Sequence, residues 1–391
     1  MPVLANKNNI LISNSPVQAW VRPAGWLDLP TITSGDTKIS GLVAVYENQE
    51  NAISIQAPGG SSQNYTINWG DGTSQTGTTT NSYTKRYDYS SVSSIILQDS
   101  YGYNYKQVIV TITNNSGTVT NWNLGATATQ AGPSNWLDIS FSWSANILIS
   151  RYAIYLQRLQ IFKATLTGNI NQVLELLTSL RFLRWESVTY SGVTSATAYF
   201  NQLGNLDKMD FSFSPAVLTN GFFQYTKTKS LGNISFAGTT TAANMFFQAI
   251  DLEEIGTVDL PLTTTCLQMF YACGSLSKLG RIITPVVTTI QSMFVNCSKL
   301  REINFSSCSA VTTTTSVFSN CVALEKLRMP SIGATFSITG CNLQRPALID
   351  LFNDLASVTA KTITITNNPG VADLTAADLL IATSKGWTVT Q

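Results

Sequence analysis

The chain has 391 residues, 44% hydrophobic and 12% charged, with 23 basic residues against 22 acidic ones and a net charge of +1. That balance makes no electrostatic case for nucleic acid or an acidic membrane surface. The absence of histidine removes the Ser-His-Asp and Cys-His nucleophile pairs, most catalytic zinc sites and the commonest general base at neutral pH.

In chain order, residues 1–25 carry few charges and hold Pro2, Pro16 and Pro23, which reads as an extended N-terminal arm. They lack a basic segment followed by an apolar core, so a secretory signal is not expected. No apolar run reaches the ~18 residues of a spanning helix, so membrane insertion is not expected either. Residues 26–118 change texture: "ISGLVAVYE", "NAISIQAP", "NYTINWGDGT" and "KQVIVTIT" alternate apolar and polar residues between turn signals. This pattern predicts an Ig-like antiparallel β-sandwich. Gly70, Asp71 and Gly72 follow the strand that carries Trp69 and suit a tight turn. Asp71 reads as a turn residue rather than a calcium ligand, because one carboxylate cannot supply the roughly six to eight oxygens Ca²⁺ takes. Tyr101, Tyr103 and Tyr105 fall on one face of a strand or hairpin, either as edge packing or as an aromatic contact surface.

Residues 119–198 begin with a Gly-, Thr- and Asn-rich junction and continue through "WLDISFSWSANILI" and the degenerate coils "LQRLQIF" and "LTSLRFLRW". From 199 to 340 a sentence repeats. Met245, Met269, Met293 and Val317 are spaced by 24 residues, as are Phe246, Phe270, Phe294 and Phe318. Leu252, Leu276, Leu300 and Leu324 keep the same period, followed by Ile255, Leu279, Ile303 and Leu327. Such a period predicts a solenoid with one strand per coil, stacked ~4.8 Å apart, whose inward side chains form ladders along the axis.

One slot in the repeat reads Ala249, Cys273, Cys297, Cys321. Alanine there argues for a small buried group, since a metal ligand or redox thiol would not be exchanged for it while its surroundings persist. All 6 cysteines (Cys266, Cys273, Cys297, Cys308, Cys321, Cys341) lie between positions 266 and 341, in the solenoid and at its junction with the cap, without a C-x-x-C pair, and are expected to be reduced and structural. No cofactor or metal is expected. Residues 341–391 read as an α/β cap: helix "QRPALIDLFNDLASV", strand "KTITITNN", helix "TAADLLIATSKG" and strand "WTVT".

Two resemblances follow. "INWGDGTSQT", "KRYDYSS" and "QVIVTIT" resemble the PKD domain, with Tyr87 at the family's tyrosine and its preceding histidine absent. M-F-x-x-C-x-x-L-x-x-L/I resembles the BspA-like leucine-rich repeats of bacterial surface proteins and phage virion proteins. Joined to the opening "VRPAGWLDLPTI", these segments are similar to structural proteins of tailed phages. The resemblance implies a mainly β, non-enzymatic virion protein, assembled in the host cytoplasm and exposed on the particle as a tail fibre or baseplate adhesin. Its partners would be capsid, tail or baseplate proteins and a host glycan or envelope protein, and a homo-oligomer is among the assemblies it allows. The alternatives are a capsid decoration or head-fibre protein, a bacterial surface adhesin, and a polysaccharide depolymerase. For the last, the acids available are Glu253 with Glu254, Asp207 with Asp210, Glu302, and Asp350 with Asp354.

Overall fold

The structure, a computed structural model, describes residues 21–49, 51–78, 81–124, 135–149, 153, 155–170, 174, 177–185, 188–204, 206, 211–212 and 219–391. The arm expected over 1–25 therefore lies outside the described residues as far as position 20, as do Asp207 and Asp210. The chain divides into two compact units, 1–194 with 202–207 and 195–201 with 208–391.

The first unit contains β1 (Lys38–Tyr46), β2 (Ala52–Asn68), β3 (Ser74–Gly77), β4 (Ser82–Arg86), β5 (Leu97–Gln98) and β6 (Asn104–Asn123). It continues with β7 (Trp136–Ser142), β8 (Asn146–Leu148), β9 (Arg158–Asn169), β10 (Phe182–Trp185) and β11 (Val188–Ser195). These strands form one hydrogen-bonded network in the order β10-β9-β7-β1-β6-β2-β3, with β11 on β9, β4 on β2, and β5 and β8 on β6. The apolar run of β1 is explained by its place: it pairs antiparallel with β6 on one side and β7 on the other, and both of its faces are buried. Trp26, Leu42, Ala44, Tyr46, Tyr105 and Leu137 form one core cluster. A second aromatic group sets the Trp122 ring edge-on to Tyr65 and Trp143, at 5.0 and 4.8 Å.

Two features differ from the expected partition. Residue 22 onward is tied to the sheet: Arg22 Nε donates to the buried Asp138 carboxylate at 2.9 Å, and Gln107 Nε2 donates to the Gly25 carbonyl at 2.9 Å. The strand β6 also runs through residue 118, and β7 pairs with β1, so residues 119–124 and 135–194 pack with the first unit. At β7 the topology changes from antiparallel to parallel, with Asp138 beside Arg158 and Arg158 beside Phe182.

The second unit is a stack of coils. One parallel ladder runs through β12 (Phe211–Ser212), β14 (Ile234–Ser235), β16 (Val258–Asp259) and β18 (Ile282–Ile283). Another runs through β13 (Ser230–Leu231), β15 (Glu254–Ile255) and β17 (Lys278–Leu279), and β19 (Glu302–Asn304) pairs with β20 (Lys326–Arg328). Each of these coils thus carries two short strands where the spacing predicted one. Glycine is the cause: a Cβ on Gly280 would lie 2.5 Å from the Gly256 carbonyl carbon, and one on Gly256 2.8 Å from that of Gly232. The backbones of successive coils meet at this corner, and the strand breaks there. Asn304 and Arg328 occupy the same register 24 and 48 residues further on, and there β19 and β20 extend onto this position as their last residue instead of breaking before it.

A third side is pinned by single bridges linking Thr241, Thr265, Thr289 and Thr313. Thr264, Thr288 and Thr312 each donate a hydroxyl to the carbonyl of the threonine 24 residues earlier, at 3.1, 3.0 and 3.3 Å. Between these sides, Asn244, Gln268, Ser292 and Ser316 have φ of 55, 52, 52 and 56°. Gln248, Ala272, Asn296 and Asn320 have φ of 54, 58, 63 and 60°. These left-handed residues bracket a tight corner, which is how the consecutive side chains Met245 and Phe246 can both be fully buried.

The stack ends in β21 (Phe336–Ser337), α1 (Arg345–Asp354), β22 (Lys361–Thr364), α2 (Ala376–Thr383) and β23 (Trp387–Thr390), whose strands pair in parallel. Arg328 grips Asp354 with Nε and Nη2 at 2.8 and 2.7 Å, and Asp354 also accepts the Met329 N–H at 2.8 Å. Arg345 grips Asp378 likewise at 2.9 and 3.0 Å, and Thr375 with Asp378 forms a capping box on α2. The architecture is mainly β with two short α-helices among the described residues.

Candidate functional site

The solenoid spine is a ladder of parallel rings. Phe223–Phe246, Phe246–Phe270, Phe270–Phe294 and Phe294–Phe318 stack at centroid distances of 5.2, 5.1, 5.4 and 6.0 Å, with interplanar angles of 3, 1, 9 and 10°. Leu252, Leu276, Leu300 and Leu324 are fully buried beside them. The cysteine slot does more than fill space. Cys273, Cys297 and Cys321 donate their S–H groups to the carbonyls of Phe246, Phe270 and Phe294, each at 3.1 Å. Each thiol thus joins its coil to the preceding one, a role that the residue spacing does not reveal.

Burial pushes the Cys273, Cys266 and Cys341 thiols up to about 12 and Cys297 well above its ordinary value. At neutral pH these groups are thiols, whereas nucleophiles and metal ligands are thiolates. Among the described residues, no three His, Cys, Asp or Glu side chains converge to hold a metal ion.

Outside this constant spine the surface varies. One outward position reads Lys229, Glu253, Ser277, Arg301, Glu325 at 24-residue spacing, changing charge from coil to coil. Lys229 and Glu253 pair at 3.3 Å and Arg301 and Glu325 at 3.9 Å, both exposed pairs that add little stability. Near the cap, a cavity of about 580 Å³ is lined by Glu302, Glu325 and Asp350 together with Lys326, Arg328 and Asn342. Among the acids considered for catalysis, Glu302 and Asp350 therefore share a cavity, while Asp354 is committed to Arg328 and Glu253 to Lys229.

In the first unit, Gly70 and Gly72 have φ of 78 and 85°, and a Cβ on Gly70 would lie 2.4 Å from the Ile109 carbonyl oxygen. Trp69 is buried, and its carbonyl accepts the Tyr87 hydroxyl at 2.9 Å, which locks the turn. Asp71 bonds Thr73 and Lys85; its partial burial would raise its pKa, but these bonds outweigh that and hold it below the ordinary aspartate value.

Tyr101, Tyr103 and Tyr105 do not share a face. Tyr105 lies on β6, is buried, and accepts the Trp26 indole N–H at 3.2 Å. Tyr101 and Tyr103 sit on the preceding turn, 80% and 56% exposed. The period-2 reading fails because Asp99 folds the chain back: its Oδ1 accepts the backbone N–H groups of Tyr101 and Tyr103, both at 2.9 Å.

Residues 217–340 match the model of the BspA type leucine-rich repeat region, in 6 copies. No curated protein and no solved structure matches the chain. The segment is thus a BspA-type leucine-rich-repeat region built as a parallel β-solenoid. A solenoid of this kind fits a surface-binding, adhesin-type role.

Proposed function

We propose that the chain is a non-enzymatic structural protein of a tailed-phage virion. Its N-terminal part, including the PKD-like region, attaches to capsid, tail or baseplate proteins, and its solenoid presents a recognition surface to a host glycan or envelope protein. The observation that carries the reading is the separation of a fixed Phe-Leu-Cys spine from an exterior that changes charge at each coil, as in Lys229, Glu253, Ser277, Arg301 and Glu325. Such an exterior can be altered for recognition without cost to folding. The six buried, unpaired thiols support folding in a reducing cytoplasm before display on a particle.

Gold-labelled antibody on intact particles, combined with binding of the purified chain to host cells, tests this reading. Label at the tail together with saturable cell binding is the expected result. Label on the capsid without cell binding would favour the decoration reading, and unlabelled particles would leave a bacterial surface adhesin. The shared cavity of Glu302, Glu325 and Asp350 favours a depolymerase as the second reading. Release of reducing ends from host polysaccharide, abolished by Glu302→Gln, would establish it.

A further inference from the structure

We propose that the first unit contains a binding cavity for a neutral saccharide, with Tyr101 as the stacking ring and Asp99 and Arg181 as the groups that bond its hydroxyls. This goes beyond the reading above, which places recognition on the solenoid. The cavity measures about 390 Å³, within the roughly 300–1,000 Å³ usual for small-molecule sites. Its aromatic wall is already assembled. Tyr46 packs against Tyr105 at 5.5 Å and against Tyr155 at 5.7 Å, with Trp26 bonded to Tyr105 behind them.

The rim differs from this wall. Tyr101 borders the same cavity yet is 80% exposed, so its ring is not spent on packing the core. The turn that carries it is closed by the Asp99 carboxylate on two backbone N–H groups and by Gly102 N–H on the Asp99 carbonyl at 3.1 Å. The ring is therefore presented without a loop-ordering cost on binding.

The polar lining selects the ligand class. Gln98, Asp99, Gln157 and Arg181 border the cavity. Among the described residues Arg181 makes no ion pair. Planar amide, carboxylate and guanidinium groups present paired donors or acceptors that match adjacent hydroxyls. A pyranose offers both required surfaces, a C–H face for the ring and an edge of hydroxyls. A wholly apolar ligand would leave the polar groups buried without partners. The lining carries one acidic and one basic residue, which balances charge and favours a neutral sugar. Burial first, and then the Asp99 carboxylate, raises the pKa of both Tyr46 and Tyr155, so that charge is felt within the aromatic wall.

The test is a glycan array of neutral and acidic saccharides probed with the full chain, followed by titration of the best neutral hit against variants. Tyr101→Ala and Arg181→Ala should each weaken binding by about tenfold or more without changing the melting temperature, since both side chains are exposed. Asp373→Asn, at an exposed position in the cap, should leave it unchanged. The proposal is overturned if no neutral saccharide binds, if binding survives both first-unit substitutions, or if a deglycosylated envelope protein is held through Tyr101 instead. Survival with loss in Glu325→Ala on the solenoid would move recognition there and leave the virion reading intact. Particle labelling fails or succeeds independently of all these outcomes.

Discussion

Replacing Cys297 by alanine removes one sulfur from the middle of the stack and tests what the ladder thiols are for. Cys297 is fully buried, and its S–H donates to the Phe270 carbonyl at 3.1 Å. That carbonyl also accepts the Cys273 N–H at 3.2 Å, so the substitution leaves no orphaned acceptor. The lost transfer energy is close to that of one methylene, ~0.8 kcal/mol. A void of roughly 20 Å³ adds about 0.5 kcal/mol at ~24 cal/mol per Å³. With a few tenths for the weak S–H bond, the expected loss is about 1.5 kcal/mol. Serine should cost more, about 2 kcal/mol, because its shorter C–O bond draws the donor away from the carbonyl and buries a poorly satisfied hydroxyl. Urea unfolding followed by far-UV circular dichroism measures both values. If the thiol were a ligand or a nucleophile, serine would be the milder change and alanine would abolish folding or function. That order, or zinc released in stoichiometric amount on unfolding, would refute the structural role.

Three further outcomes are expected. Ala272 holds φ at 58°, a conformation that costs a residue with a Cβ about 1 kcal/mol or more. Ala272→Gly should therefore stabilise the fold by about 0.5 kcal/mol after the greater unfolded-state entropy of glycine is subtracted, and so raise the urea midpoint slightly. Gly280→Ala should do the opposite, costing about 2–3 kcal/mol, since its Cβ would meet backbone of the preceding coil at 2.5 Å. The bond from Arg345, then those from Thr375, hold Asp378 at about 2 against an ordinary value of 3.8. Its contribution to the cap is thus complete above about pH 4 and is lost as pH falls toward 2. Thermal melts across that window should lose this slope in Asp378→Asn.

Particular elements show what was readable in advance. The Phe, Leu and Cys ladders were legible because a stacked coil touches only its neighbours, so every spatial contact recurs at a fixed separation along the chain. The cap helices were legible from apolar spacing and from Pro346 at the first turn of α1. The split strand was not, although Gly232, Gly256 and Gly280 share the 24-residue spacing, because the pattern does not say which side of a coil meets backbone. Most of the left-handed corners were hidden as well: Asn244, Asn296 and Asn320 are of a type that favours this conformation, but Gln248, Gln268, Ala272, Ser292 and Ser316 occupy positions where glycine would have announced them.

The amino-acid sequence by itself determined the repeat, its spine and the identity of the buried thiols as small packed groups, since periodic neighbours encode their own contacts; their S–H donation across coils came only with the structure. Only the tertiary structure decided that β7 belongs beside β1, that Tyr105 is core while Tyr101 faces solvent, and that Trp26, Asp99 and Arg181 border one cavity. Those placements join segments with no common period. They follow from strand pairing and turn geometry over long separations, where each partner alone carries no mark of the other.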